Sequence, residues 1–120
     1  MSLALALLVL GADPTPHVTL VKSQATANAA AVTRELKEQA EPLAGCYDLA
    51  LKAAPALKGT VSLTFELEPD SGLTVLTVDK DSLADETLVP CAKARLRTAA
   101  WPPVKQTVTV HATYRFELRR

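Results

Sequence analysis

In Thr107-Val108-Thr109-Val110-His111-Ala112-Thr113-Tyr114-Arg115-Phe116-Glu117-Leu118 every second residue is apolar. Val108, Val110, Ala112, Tyr114, Phe116 and Leu118 fall on one side of an extended chain, and Thr107, Thr109, His111, Thr113, Arg115 and Glu117 on the other. This period predicts a long strand with one face in a core and the other in water. A strand needs neighbours for its backbone ladder and a cover for its apolar face, so the rest of the chain must supply both.

Residues 60–68 supply the first neighbour. Val61, Leu63, Phe65 and Leu67 alternate with Ser62, Thr64, Glu66 and Glu68, and burying the four apolar side chains stabilises by on the order of 2 kcal/mol each. Pro69-Asp70-Ser71-Gly72 has proline and glycine where a tight reversal wants them. Residues 73–78 then return as the second arm of a hairpin.

Two helices supply the cover. From Asn28 the composition turns to helix formers, and Val32, Leu36, Leu43, Tyr47 and Leu51 form one apolar stripe, which predicts a helix over about residues 28–53. Pro42 removes one of its backbone hydrogen bonds, so a kink or break is expected near Gln39–Glu41. Ser82-Leu83-Ala84-Asp85 has the form of a capping box and predicts a second helix from there to about Ala99. Its stripe is Leu88, Cys91, Ala92 and Leu96, with Pro90 as a local misfit, and Trp101-Pro102-Pro103 ends it.

The predicted order is helix, strand, strand, helix, strand. It implies an α+β fold: a three-stranded antiparallel sheet in the order 2-1-3, predicted strands numbered along the chain, with both helices on one face. The strand over 60–68 is then central. The strand over 107–118 becomes an exposed edge.

The chain has 120 residues, 48% of them hydrophobic, which suits one compact domain. Thirteen basic and thirteen acidic side chains cancel, so no large field attracts nucleic acid or anionic lipid. The five aromatics (Tyr47, Phe65, Trp101, Tyr114 and Phe116) offer no base-stacking platform. Residues 1–12 form an uncharged apolar run with the length of a signal-peptide core, too short to span a bilayer stably. They predict export, with a buried strand or helix over residues 3–10 of a cytosolic protein as the competing reading. Residues 13–27 read as an irregular lead-in with room for one short strand, leaving 28–120 as the domain.

Cys46 and Cys91 lie on the inward stripes of the two predicted helices. In an exported chain such a pair is expected to form a disulfide, with two buried free thiols as the competing reading. They stand 45 residues apart, and closing that loop removes chain entropy equivalent to about 4 kcal/mol. A nucleophilic cysteine needs a base close by, and the only histidines are His17 in the lead-in and His111 on an outward strand position. No close-spaced ligand pair suggests a metal, and no motif suggests another cofactor. Asp79, Asp81, Asp85 and Glu86 form an acidic cluster on a turn and helix start, where capping is the expected role, so enzymatic activity is not predicted.

Several of these features resemble a known family. Cys46-Tyr47-Asp48, Pro55-Ala56-Leu57-Lys58-Gly59-Thr60-Val61, Gly72-Leu73, Ser82-Leu83, Cys91 and Trp101-Pro102 are similar to the AgmX/PglI C-terminal domain of myxobacterial envelope proteins, a variant of the TonB C-terminal domain. The resemblance covers roughly residues 30–118. It implies a periplasmic module that contacts other envelope proteins, in TonB by pairing the last strand with an extended peptide. Carried to this chain, that places partner contacts on the 107–118 strand, with Thr107, Thr109, His111, Thr113 and Arg115 as specificity residues. The alternative is self-association into a homodimer through the same edge.

Overall fold

The computed structural model describes residues 14–120, so the signal-like run 1–12 lies outside the described residues. Four strands and three helical segments follow one another: β1 (Thr15–Ala25), α1 (Ala29–Glu38), α2 (Ala40–Ala53), β2 (Gly59–Glu68), β3 (Gly72–Asp81), α3 (Leu88–Arg97) and β4 (Val108–Arg119). The strands form one antiparallel sheet in the order β1-β4-β2-β3.

This overturns the expected three-stranded sheet with order 2-1-3. The supposed lead-in over 13–27 holds an eleven-residue strand, and that strand pairs with β4 along its whole length, from Thr15 opposite Arg119 to Ala25 opposite Val110. The last strand is therefore central, with β1 on one side and β2 on the other, and it is not an edge. β1 escapes a period-two reading because its register slips between Leu20 and Lys22. One extra residue, Val21, reverses the alternation halfway along, so Val18 faces inward before the bulge and Ser23 after it.

The inward residues of β2 and β4 form the floor of the core. Val61, Leu63, Phe65 and Leu67 from β2 and Val108, Val110, Ala112, Tyr114 and Phe116 from β4 are all buried, while Leu118 at the end of the run is 37% exposed. Val32 and Leu36 of α1, Leu43 and Tyr47 of α2, and Leu88 and Leu96 of α3 cover them. Tyr114 donates its hydroxyl to the carbonyl of Leu36 at 2.7 Å, and the Phe116 ring meets Tyr47 edge-on at 5.6 Å.

The helices begin where the prolines permit. The first helical stretch divides at Gln39, so Pro42 is the third residue of α2. The second predicted helix starts at Leu88 rather than at Ser82, which makes Pro90 the third residue of α3. Both prolines thus occupy a first turn, where the missing amide has no helical partner to lose. The expected capping box does not form. Ser82 Oγ accepts the Thr60 amide at 2.8 Å instead, and Asp85 Oδ1 accepts the amides of Thr87 and Leu88 at the entry to α3.

Cys46 and Cys91 are joined as a disulfide with Cα atoms 5.7 Å apart, fastening α2 to α3 just beyond those proline turns. A second long-range tie was not foreseen. Glu35 is buried, and its Oε2 accepts from Gln39 Nε2 at 2.8 Å and from the Ala100 amide at 3.1 Å, linking α1 to the segment after α3.

Candidate partner-binding surfaces

The helices occupy one face of the sheet, leaving the other face and the two edges for contacts. The five residues expected to bind a partner lie on or just before the central strand. Thr109, His111, Thr113 and Arg115 point from β4 onto the open face, and exposed Thr107 donates to Glu68 Oε1 at 2.6 Å. None of them lies on a strand edge, because both backbone sides of β4 are paired.

The open face carries ordered polar contacts instead of a bare array of charges. Ser62 and Thr113 hydroxyls meet at 2.9 Å. Thr64 Oγ1 donates to Asp79 Oδ2 and lies 2.8 Å from His111 Nδ1. Asp79 therefore binds within the sheet. Asp81 and Asp85 act as local caps, Asp81 Oδ1 accepting the amides of Leu83 and Ala84 at 3.0 Å. The acidic cluster predicted from the sequence is thus divided among separate tasks.

The sheet has two edges, β1 and β3. β3 is blunted in the ways natural edges usually are: its register slips twice against β2, between Ser62 and Leu63 and between Phe65 and Leu67, and Asp79, Lys80 and Asp81 crowd its end. β1 is regular from Thr15 to Leu20, each residue opposite one residue of β4 from Arg119 to Tyr114. No Lys, Arg, Asp or Glu occurs in that half, and Pro16 is its one residue without a backbone amide.

An open groove of about 570 Å³ runs beside the regular half of β1. Pro16, His17 and Val18 form one wall; Lys37 and Glu38 at the end of α1 with Ala40, Glu41 and Ala44 of α2 form the other. The break at Gln39 and the two small alanines keep the helical wall low. Nothing in the sequence pattern signals this groove, because it depends on β1 being a strand.

Among the described residues no helix is long and apolar enough to cross a membrane, and no group of three or more His, Cys, Asp or Glu could hold a metal ion. No family model matches the chain, and no curated protein or solved structure is detectably similar to it.

Proposed function

We propose that this chain is a protein–protein interaction domain of the cell envelope that accepts an extended segment of another protein as an added strand along β1. The observation that carries the reading is the half-edge Thr15–Leu20, in unbroken register with β4 and lacking an amide only at Pro16, lying beside the groove at the α1–α2 junction. Unpaired edge amides and carbonyls give an incoming strand its affinity, and the groove takes alternate side chains of that strand. Pro16, Val18, Ala40 and Ala44 in its walls suit small apolar side chains, while Lys37, Glu38 and Glu41 suit polar ones. The resemblance to the AgmX/PglI family supports a partner in the envelope, although the strand used here is the first and not the last. The disulfide supports an oxidising, exported location such as the periplasm.

A photo-reactive amino acid placed singly at Lys37, Thr77 and Leu49 in cells tests this. Cross-links to a partner from Lys37, with none from Thr77 on the opposite edge strand or from Leu49, exposed on α2, are expected. Cross-links from Thr77 with none from Lys37 would move the docking edge to β3 and overturn the reading.

A further inference from the structure

Two of the three register slips in the sheet fall on opposite sides of one spot. The β1 bulge lies at Val21 and one β3 bulge at Asp79, and between them four outward residues align in a row: Lys22 of β1, Thr113 of β4, Ser62 of β2 and Lys80 of β3. The next row is Gln24, His111, Thr64 and Thr77. Bulges bend the strand and re-aim its side chains, and here a hollow of about 310 Å³ opens on the open face, lined by Lys22, Gln24, Ser62, Asp79, Lys80 and His111.

The hydrogen bonds at its floor leave one arrangement of protons. The Asp79 carboxylate only accepts, so the Thr64 hydroxyl proton points to Oδ2. Thr64 Oγ1 can then serve His111 only as an acceptor, so Nδ1 carries the proton. The imidazole is held by this chain with Nε2 as its unpledged ring nitrogen. Asp79 accepts from Thr64 and keeps its charge, and Lys22 and Lys80 have no ion-pair partner among the described residues, whose only salt bridge is Arg119 with Glu117. In the lining of the hollow two ammonium groups outnumber the one Asp79 carboxylate, so the balance of charge beside the Ser62 and Thr113 hydroxyls is cationic. Two ammonium groups also argue against a metal cation at Nε2.

We infer that this hollow is an oxyanion-binding site, in which Lys22 and Lys80 flank a carboxylate or phosphate oxygen and the Ser62–Thr113 pair donates its remaining hydroxyl proton to it. The site lies on the open face and does not depend on strand addition at the β1 groove. Charge recognition there gives a partner a second, polar point of contact.

The test uses NMR of the isotopically labelled full chain, following the Lys22 and Lys80 ammonium and His111 ring signals while sodium acetate, and separately inorganic phosphate, is added at constant ionic strength. Saturating shifts confined to these residues are expected with at least one anion, half-complete on the order of millimolar. The acetate and phosphate arms decide which oxyanion is preferred. Lys22→Gln with Lys80→Gln should abolish saturation, and Thr64→Val, which frees the Asp79 carboxylate to compete with the anion for the lysines, should weaken it several-fold while changing the His111 ring nitrogen signals from the Nδ1–H pattern. Unaltered amide spectra away from the hollow establish that each variant is folded. Shifts no larger than those of Lys52 or Lys105, or saturation that survives the double lysine change, would overturn the assignment.

Discussion

The two edges of the sheet differ in how much has been done to protect them. β3 slips register twice, ends in three charged residues, and has Leu76 as its one deeply buried side chain. β1 keeps perfect register for its first six residues, and α1 and α2 stand beside it, forming the groove. An edge that needed only to stay unpaired could resemble β3 at both ends of the sheet. The difference teaches that blunting is local, and that the half-edge kept in register, with only Pro16 lacking an amide, is the one with a shaped wall next to it.

The strongest way to disturb this contrast is to cut the tie behind the groove. Replacing Cys46 and Cys91 together by alanine should lower stability by about 4 kcal/mol, read as a shift in the denaturation midpoint. Because α2 forms the groove wall, amides of β1 and α2 should lose exchange protection before those of β2 and β4. Equal loss throughout would mean the clamp serves the whole domain alike.

Leu76→Ala should cost about 3 kcal/mol, within the usual range for a buried leucine, and should free β3 selectively. Protection lost in β1 instead would show that the two edges are coupled through the sheet.

Tyr114 lies between the edges, on the central strand, and its effect is smaller. Tyr114→Phe removes a buried bond to the Leu36 carbonyl and should cost about 1 kcal/mol at neutral pH. Burial, with Glu35 adding to it, pushes the Tyr114 hydroxyl well above a tyrosine's ordinary value of 10.0. The unfolded chain therefore releases this proton first as pH rises, so stability is full below about pH 10 and falls above it. The phenylalanine variant should show a shallower alkaline decline, measurable by denaturation at several pH values.

The smallest expected effect is a gain. Ala84 adopts a left-handed backbone, φ 52°, in the loop after β3, and Ala84→Gly should relieve about 1 kcal/mol of strain, offset in part by chain entropy. Gly59 tolerates no such freedom. A side chain there would collide with Ser82 Oγ, where the same loop is fastened to β2.

The covered face of β2 and β4 could be read from the sequence because both strands alternate without interruption, and each inward residue from Val61 to Leu67 and from Val108 to Phe116 is buried. The helix break was legible at Pro42, and the cysteine pair from two apolar stripes. β1 was not legible, since Val21 breaks its alternation and the run splits into two short halves of opposite phase. That one omission made the last strand look like an edge and misplaced the expected contacts. Ser82 misled for a related reason: its hydroxyl bonds to Thr60, 22 residues away, a partner that local spacing cannot reveal. The chain from Asp79 through Thr64 to His111 joins three strands and needed the register itself.

The central claim is that β1 is the docking edge. The cross-linked partner segment, prepared as a synthetic peptide, allows a direct measurement of amide hydrogen exchange across the domain with and without it. The account predicts slower exchange at amides within Thr15–Leu20 and at the α1–α2 junction, with β3 unchanged. Slower exchange along Leu73–Lys80, with β1 unchanged, would contradict it.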